Sequence, residues 1–409
     1  MLLNKIKNIE EAAERIKQAA QGKERIILYG DSDLDGIVSV VILEETIKNL
    51  GGRVDTVAFP NREEDGYGIN LKAMEFLKNK APALFITLDL GISNVKEVAV
   101  ANKICFEVII IDHHQILDRL PGAKIIIDPE QKDDKYPFKG LCTAGITFKL
   151  CQEILEKNMS LQLKNSFIEL VALATIADMM PQVADNKIFI EEGLRSLPNT
   201  FRPGLRAFID ILGSPPTNFE SKFKNEQSFE SNSKLVGGKG KVAAGGFTKI
   251  ISALNAAESV DFRNDSYELL TNSSSEKCRE IAETLLAKVQ QKQQRIKEIT
   301  SEVEKRIVKK PDEIIIFEGD IAWKLTLAGP VASIIASKYE KPTFIFKKGD
   351  KESCGSVRSL KEGQNSVEAM KSCKELLVTY GGHPKASGFR VKNENLEEFK
   401  KCLIEYFRR

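Results

Sequence analysis

Short apolar runs alternate along the first third of the chain with stretches that have the spacing of amphipathic helices. The runs are rich in Ile, Val and Leu, which is typical of strands buried on both faces of a parallel sheet. Strands that alternate with helices predict an α/β domain whose sheet is covered on both faces. The predicted strands are Ile26–Tyr29, Val54–Phe59, Leu84–Leu88, Val108–Ile111 and Lys124–Ile127, and the predicted helices are Ile9–Ala20, Ile37–Leu50 and Asn94–Ile104.

The last third of the chain predicts a second, smaller α/β domain. Residues 273–310 carry an apolar stripe at helical spacing, and Ser273 and Glu276 have the spacing of a capping box. We therefore predict an N-terminal domain over residues 1–272, a connector helix over 273–310 and a second domain over 311–409. Within the second domain we predict the strands Ile314–Phe317 and Thr343–Phe346 on either side of the helix Ala332–Tyr339.

Residues 214–241 interrupt this organisation. They are rich in Ser, Asn, Lys and Gly, and two adjacent prolines follow Ser214. Because this composition offers few apolar residues to a core, it predicts a flexible insertion. We assign no function to it.

The composition of the chain excludes a membrane-spanning protein. Of its 409 residues, 42% are apolar and 29% are charged, and we find no uncharged apolar run of about 18 residues. The first residues are too charged for a signal peptide. Seven scattered cysteines without a Cys-x-x-Cys spacing indicate buried thiols rather than disulfides or a zinc site. We therefore predict a cytoplasmic protein.

Charge is distributed unevenly around a net value of +2. Residues 273–409 contain 27 Lys and Arg against 20 Asp and Glu, whereas residues 1–272 contain 33 against 38. The basic residues of one half would attract a polyanion, and the acidic residues of the other half would hold metal ions near it. Ordinary surface charge explains the same numbers nearly as well.

Three acidic residues stand immediately after predicted strands: Asp31, Asp89 and Asp112. In a parallel sheet, ligands bind outside the carboxyl ends of the strands, so these acids should meet at one edge. A fourth acid, Asp178, ends the apolar helical run Phe167–Ile176. Several carboxylates packed together cannot all stay ionised unless a cation offsets their repulsion. The pattern therefore predicts a cation site.

Histidine narrows the kind of cation. Two of the three histidines, His113 and His114, directly follow Asp112. Carboxylate and imidazole ligands without thiolates favour Mn²⁺ or Mg²⁺ over structural zinc. The segment Asp31-x-Asp33-x-Asp35-Gly reads as a tight loop whose alternate acids serve neighbouring metals. It begins like a calcium loop, but its twelfth residue is Ile rather than Glu, which excludes that interpretation.

Two further segments have the composition of phosphate-binding loops. Pro60 to Gly68 contains Arg62 and Tyr67, which would contact phosphate or a base; a plain polar turn is an equal alternative. Gly381 to Phe389 reads Gly-Gly-His-Pro-Lys-Ala-Ser-Gly-Phe, which suits a loop whose backbone N–H groups cradle an anion. Arg358 lies a short distance before it. A simple turn is the alternative for this segment too.

In this order, the motifs resemble those of the DHH phosphoesterase family with its DHH-associated C-terminal domain. The matching motifs are Asp-x-Asp-x-Asp-Gly, Asp89-Leu-Gly, Asp112-His-His, Ala-Asp178 and the late Gly-Gly-His-Pro-Lys-Ala-Ser-Gly. Within the family, the Pro-Asn-Arg…Gly-Tyr-Gly loop, Tyr136–Ile146, Asn255-Ala256-Ala257 and Gly329–Ser333 are similar to the RecJ branch of single-strand-specific exonucleases. The resemblance covers nearly the whole chain.

The resemblance implies a two-metal site that lies in the cleft between the two domains. Its implied ligands to two Mn²⁺ or Mg²⁺ ions are Asp31, Asp33, Asp35, Asp89, His113 and Asp178, with Asp89 bridging the metals. His114 is implied to lie nearer the scissile phosphate. The implied substrate-binding residues are Arg62, Tyr67, Arg358, Gly381, Gly382, His383 and Lys385.

The implied function is metal-dependent removal of mononucleotides from single-stranded DNA or RNA, in replication, repair or RNA turnover. One alternative is a phosphodiesterase for short oligonucleotides or cyclic dinucleotides. A second is a replication-fork scaffold associated with the GINS complex, which could coexist with catalysis. Two departures stand out: Glu258-Ser259 follows Asn255-Ala256-Ala257 where RecJ proteins usually have Gly-Arg, and nothing after the second domain corresponds to an oligonucleotide-binding barrel. The chain is similar to compact, archaeal-type members.

Overall fold

The first 130 residues fold as the alternation of strands and helices predicts. The computed structural model describes residues 5–116, 119–213, 245–309, 313–361 and 363–408, so the insertion predicted at 214–241 lies outside the described residues. All five predicted strands and all three predicted helices of this region are confirmed. The elements are α1 (Ile9–Gln21), β1 (Ile26–Gly30), α2 (Leu34–Asn49), β2 (Thr56–Ala58), α3 (Leu71–Leu77), β3 (Ala83–Leu88), α4 (Val95–Lys103), β4 (Phe106–Ile111) and β5 (Ile125–Ile127).

A largely helical region follows this sheet. Its second helix contains the predicted run Phe167–Ile176. Its last helix corresponds to the helix predicted over 273–310 and ends at Ile307, shortly before the undescribed residues 310–312. The elements are α5 (Thr143–Leu155), α6 (Leu161–Ala177), α7 (Ala184–Ser196), α8 (Pro203–Leu212), α9 (Gly245–Leu254), β6 (Ser259–Val260), β7 (Arg263–Asn264), α10 (Asp265–Thr271) and α11 (Ser275–Ile307).

The C-terminal region contains the two strands and the helix that the sequence predicts, together with elements that it does not. The additional strands and helices all lie C-terminal to the second predicted strand, Thr343–Phe346. The elements are β8 (Ile316–Asp320), α12 (Leu325–Tyr339), β9 (Thr343–Lys348), β10 (Glu352–Arg358), α13 (Ser366–Ser372), β11 (Leu377–His383), β12 (Ala386–Lys392) and α14 (Leu396–Arg408).

The first sheet has the strand order β2-β1-β3-β4-β5, and all its neighbouring strands are parallel. Alternate side chains of each strand point to opposite faces. On one face, Leu28 and Ile109 pack into a core with α1, α2, α5 and α6. On the other face, Ile27 and Val108 pack into a core with α3 and α4. Helices therefore cover both faces, which leaves the carboxyl edge of the strands for function.

The chain divides into two compact units, and each is described by itself. The first comprises residues 1–61 and 67–289, and the second comprises residues 62–66 and 290–409. In the second unit the sheet order is β11-β12-β10-β9-β8, with β8 parallel to β9 and the other pairs antiparallel. The boundaries predicted from the sequence, and the cleft, stay predictions.

The glycine-rich segment 381–389 is not a loop, so that interpretation is wrong. Gly381, Gly382 and His383 are the last residues of β11, and the chain returns as β12 after the two-residue turn Pro384-Lys385. Gly382 has a positive φ of 126°, and a Cβ there would lie 2.6 Å from the Ala386 carbonyl oxygen. Here glycine permits two strands to approach closely, and their backbone groups bond to each other.

One cysteine pair contradicts the prediction that disulfides are absent. Cys373, which follows α13, forms a disulfide with Cys402 of α14. The two are 29 residues apart and come together because both helices pack on the same face of the second sheet. Among the other five cysteines, three are buried thiols as predicted: Cys142, Cys151 and Cys278.

In the part of the chain that the structure describes, every helix is too short or too polar to cross a lipid bilayer.

Candidate functional site

The three strand-end acids lie side by side at the carboxyl edge of the first sheet. The backbone N–H of each acid donates a hydrogen bond to the neighbouring strand, and so continues the pairing of its own strand by one residue. All three side chains are buried. Parallel pairing therefore brings together residues that are about 80 positions apart in the chain, as the sequence predicts. The three backbone hydrogen bonds, each 3.0 Å long, are Asp31 N to Leu88 O, Asp89 N to Ile111 O, and Asp112 N to Ile127 O.

The first acidic motif runs from the strand end into a helix, so that residues 31–33 form a short loop and Asp35 lies in the helix. Asp33 is the N-cap of α2, where its Oδ1 accepts a hydrogen bond from Gly36 N at 3.2 Å. Asp35 therefore lies in the first turn of α2, which begins three residues before the predicted Ile37. A Cβ on Gly36 would lie 2.4 Å from the Asp31 carbonyl oxygen, so only glycine lets the helix start this close to the strand end.

The carboxylate of Asp35 is held by the N-terminus of α5. It accepts hydrogen bonds from Thr143 N at 2.7 Å and from Ala144 N at 2.8 Å. Burial and the nearby charge of Asp33 raise the pKa of Asp35 to about 6, although these two backbone bonds act in the opposite direction. Asp35 is thus oriented by the backbone in an environment that disfavours its charge.

His113 lies among three carboxylates. Its Nε2 is 3.3 Å from Asp89 Oδ1, 3.5 Å from Asp178 Oδ2 and 3.8 Å from Asp35 Oδ2. Asp178 arrives from a different element, because it is the residue that ends α6. The end of a strand (Asp89), the start of a helix (Asp35) and the end of another helix (Asp178) therefore each place a carboxylate near Nε2 of His113.

Asp89 occupies the least favourable position in the group. Its backbone has a φ of 65°, in the left-handed region that non-glycine residues seldom adopt. Burial, and then the charges of the surrounding aspartates, raise its pKa well above the usual value. Thr143 Oγ1 donates to Asp89 Oδ1 at 3.0 Å. Backbone strain and charge repulsion at the same residue are typical of a functional site.

Asp112 orients the two histidines. Its Oδ1 accepts from His113 N at 2.8 Å and contacts His114 Nδ1 at 2.8 Å, and its Oδ2 accepts from Ile92 N at 3.0 Å. Burial would raise the pKa of Asp112, but the charge and hydrogen bond of His114 outweigh it and hold the pKa at about 2. Burial likewise opposes protonation of His114, but Asp112 raises its pKa to about 9.

Tyr67 links the loop motif 60–68 to this site. Its hydroxyl donates to the Asp89 carbonyl oxygen at 2.9 Å and lies 3.1 Å from His114 Nδ1. Arg62 belongs to the second unit, together with the other residues of 62–66. Within that unit, Glu63 forms an ion pair with Lys347 at 2.6 Å, and Asp65 O accepts from Arg390 at 3.1 Å.

The donor set of the first unit fits divalent cations. Three groups of side chains in this unit each bring one ligand atom to within 4.8 Å of the others. Asp35, His113 and Asp178 form one, Asp31, Asp33 and Asp89 form another, and Asp89, Asp112 and His114 form the third. Together they contain every residue for which the sequence implies metal binding. Oxygen and imidazole ligands suit Mn²⁺ or Mg²⁺. A positive charge among them would also offset the repulsion that raises the pKa of Asp89.

In the second unit, the register places Arg358 and His383 on the two sides of one residue. Ala386 of β12 is paired with Arg358 of β10 and with His383 of β11. The backbones of Arg358 and His383 are thus two strand spacings, roughly 10 Å, apart. Arg358 Nε donates to Ser333 Oγ of α12 at 3.0 Å. The exposed Lys385 lies in the adjoining turn, and its carbonyl oxygen accepts from Ser359 N at 3.1 Å.

Several residues at the edge of the first sheet were not among the predicted site residues. Asn255 Oδ1 accepts from Leu34 N at 2.9 Å and so holds the start of α2. Thr143 contacts two of the acids. Asp128 follows β5 as the other acids follow their strands, and it is fully buried. The signal for Asn255 and Thr143 lay inside motifs that the sequence already singled out, whereas a strand-end rule applied to β5 would have found Asp128.

Family models match both parts of the chain. The DHH family N-terminal domain matches residues 25–175, and the DHHA1 domain matches residues 313–409. The chain therefore carries an N-terminal domain of the DHH family and a DHHA1 domain. The first match contains every strand of the parallel sheet and all the strand-end acids, and the second contains the whole of the second sheet.

Among curated relatives, the single-stranded-DNA-specific exonuclease RecJ of Bacillus subtilis is 30% identical over 403 residues. The alignment covers 98% of this chain and 48% of that protein, so the chain spans about half the length of this relative. A crystal structure of exonuclease RecJ bound to manganese has a TM-score of 0.73 and 25% identity, and the match covers 100% of this chain and 96% of the other. RecJ of Thermus thermophilus, in complex with Mn²⁺, shares the fold with a TM-score of 0.76 at 23% identity, with coverage of 99% and 55%.

Proposed function

We propose that the chain is a metal-dependent hydrolase that removes mononucleotides from single-stranded DNA or RNA. The observation that carries this proposal is the group of buried acids and one histidine at the carboxyl edge of the first sheet. Few functions other than cation binding explain why so many carboxylates lie close enough together to raise one another's pKa. Relatives whose names describe single-stranded-DNA-specific exonucleases, matched over nearly the whole of this chain, support the choice of substrate.

We assign two Mn²⁺ or Mg²⁺ ions to two of the three groups of ligands. Asp35, His113 and Asp178 would hold one ion, Asp31 and Asp33 would hold the other, and Asp89 would contribute to both. Such a pair of ions would supply water activation and charge stabilisation for hydrolysis of a phosphodiester. The manganese and magnesium complexes of RecJ proteins support this choice of metals.

The protein's own contribution is to fix these ligands and to supply a proton donor. Thr143 orients the carboxylates of Asp35 and Asp89, so both present defined oxygens before substrate binds. Asp112 holds the Nδ1 side of His114 and raises the pKa of its imidazole. We assign to His114 Nε2–H the role of donating to a phosphate oxygen, which offsets charge that develops during hydrolysis.

The second unit is assigned the remaining contacts to the nucleic acid. Arg358, His383 and Lys385 are cationic or can become so, and Arg358 and His383 lie on the two strands that flank Ala386 of β12. Gly381 and Gly382 let the backbone approach a phosphate closely. Tyr67 is assigned to the phosphate or base next to the metal site, and contact of Arg62 with a phosphate or base stays a prediction from the sequence. The domain limits at 272 and 310, the cleft, the cytoplasmic location and a GINS-type partner stay predictions from the sequence.

The test uses single-stranded DNA and RNA, each labelled separately at either end, together with a dinucleotide and Mn²⁺. The expected result is stepwise shortening of the long strands, which stops when the metal is chelated. The first label released gives the polarity. Cleavage of the dinucleotide alone would replace the exonuclease with a small-substrate phosphodiesterase. Bound metal without cleavage of any substrate would favour the scaffold.

A further inference from the structure

Two phenylalanines form a stacked pair on the surface of the first unit. The rings of Phe76 (α3) and Phe262 have centroids 4.6 Å apart and planes 20° apart. Phe76 is 52% exposed, and Phe262 is half-buried and packs against the core that contains α3 and α4. Exposed Val260 and Arg263 lie on the same short hairpin as Phe262. An exposed aromatic ring backed by a second ring, with an exposed arginine next to the second ring in the chain, is an unusual surface for a protein to leave in water.

The hairpin presents Phe262 at a cost in backbone energy. Asp261 and Phe262 form the turn between β6 and β7, and both have positive φ values, 50° and 61°. Asp tolerates this left-handed region, but a bulky aromatic residue seldom occupies it. Such strain persists where the surrounding structure or a function maintains it.

The hairpin is attached to the carboxyl edge of the first sheet. Phe59, which directly follows β2, donates its backbone N–H to the Phe262 carbonyl oxygen at 3.0 Å. Pairing of β1 with β2 places Phe59 beside Gly30, one strand spacing or roughly 5 Å away. Gly30 precedes Asp31, the first of the strand-end acids. The turn that carries Phe262 is therefore a neighbour of the metal ligands along the same edge.

The segment that carries Phe76 is anchored to the same edge. Tyr67 donates to the Asp89 carbonyl oxygen, and Ile69 N donates to Asn94 Oδ1 at 3.0 Å. Asn94 itself follows the Asp89 motif by five positions. Helix α3 begins directly after this loop, and Phe76 lies near its end. The segment before α3 thus contacts Asp89, and the hairpin that carries Phe262 bonds to Phe59 at the same edge of the sheet.

We propose that Phe76 and Phe262 form a stacking platform for a base of the single strand, outside the nucleotide that is cleaved. This proposal rests on the function proposed above and extends it. Every base has a π-face, so stacking on an aromatic ring binds single strands without sequence preference. The guanidinium group of Arg263 supplies the charge that a flanking phosphate requires. A duplex would not bind there, because its bases are already stacked on each other.

Binding is measured with a fluorescein-labelled thymidine strand of about 12 nucleotides, in the presence of a chelator, so that affinity is read without turnover. We expect Phe76→Ala to weaken binding about 5- to 100-fold, the range typical of the loss of one base–aromatic stack. Phe76→Trp should restore it. Phe262→Leu retains apolar volume while it removes the π-face, and it should also weaken binding. Phe201→Ala is the matched control, because Phe201 is 78% exposed in the same unit, beside the start of α8.

A single abasic nucleotide moved along the strand separates stacking from a structural effect. At one position it should weaken binding to the wild-type chain and have little further effect on Phe76→Ala, because the variant has already lost the stack. If both Phe76→Ala and Phe262→Leu bound single strands with wild-type affinity, the stacking platform would be refuted and the proposed function would be unaffected. A wild-type chain that neither binds nor cleaves single strands would overturn the proposed function and the platform with it. Equal weakening by the Phe201 control would also overturn the platform.

Discussion

The two sheets of this protein collect polar residues in opposite ways. At the edge of the first sheet, Asp31, Asp89 and Asp112 are buried acids from distant parts of the chain. In the second sheet, Arg358 and His383 are half-buried basic residues fixed by the pairing of neighbouring antiparallel strands. The first arrangement raises the pKa of Asp35 and Asp89, which is an energetic cost that a bound cation would offset.

This difference separates two kinds of role. A buried group of like charges is costly to keep, so its function is expected to require all of its members at once. Basic residues on a partly exposed sheet each add attraction for a polyanion, and the loss of one should weaken binding without removing it. Substitutions in the first sheet should therefore abolish chemistry, and those in the second should reduce affinity.

The largest effect is expected at Asp89. Asp89→Ala should lower the rate of hydrolysis on the order of a thousandfold or more, because it removes the proposed bridging ligand between the metals. Calorimetric titration with Mn²⁺ should show weaker binding and a lower stoichiometry. The exposed Asp210 of α8 provides the control, since Asp210→Ala removes a carboxylate outside the site. Normal activity of Asp89→Ala would refute the two-metal site as assigned.

A smaller effect is expected at Arg358. Arg358→Ala should raise KM for a single strand about 10- to 100-fold and leave the bound Mn²⁺ unchanged, because the guanidinium group is assigned to phosphate rather than metal. Arg358→Lys should recover only part of the loss, since an ammonium group cannot replace both the phosphate contact and the bond to Ser333 Oγ. A fall in metal content would break the distinction between the two sheets.

The first sheet could be predicted well because a single rule governs it. Apolar strand runs are recognisable, and in parallel strands each one delivers its following residue to the same edge. Asp31, Asp89 and Asp112 follow from that rule without knowledge of the intervening helices. The contact of Asp35 with the N-terminus of α5 could not be predicted, because more than 100 residues separate the two. In addition, polar and apolar residues are mixed around both ends of α5, so the sequence does not indicate where this helix begins.

The second sheet was harder to predict for reasons that are local. Three glycines within eight residues suggested a loop, whereas Gly381 pairs with Gly388 across a two-residue turn. Composition cannot distinguish these cases, because glycine permits both a loop and the close approach of two strands. The disulfide between Cys373 and Cys402 was equally inaccessible, since it depends on how α13 and α14 pack.

Asp128 sharpens the comparison through pH. It is a buried strand-end acid beside Asp112, and burial followed by the charge of Asp112 raises its pKa to about 8. Between its ordinary pKa and this value the folded chain binds a proton that the unfolded chain lacks. Its contribution to stability therefore falls as pH rises from about 4 to 8, by up to about 1.4 kcal/mol per pH unit.

Asp128→Asn should remove that slope. Urea titrations at several pH values should give the variant a gain over wild type that grows from acid to alkaline pH and levels off above about pH 8. Asp210→Asn, an exposed change, should follow the wild-type curve. A difference between Asp128→Asn and wild type that is constant with pH would show that Asp128 does not retain its proton in the folded chain.

The smallest effect is expected at Tyr67, which contacts the backbone of Asp89 rather than its carboxylate. Tyr67→Phe removes one hydrogen bond to the Asp89 carbonyl oxygen, typically worth about 1 kcal/mol, so we expect a rate loss of roughly fivefold with metal affinity preserved. Tyr67→Ala also removes the ring that packs beside His114, with centroids 5.4 Å apart, and should cost more. Steady-state kinetics of both variants at saturating Mn²⁺ separate these contributions. If Tyr67→Phe were as inactive as Asp89→Ala, the hydroxyl would take part in the reaction itself, and the catalytic role would extend from the acids to the loop before α3.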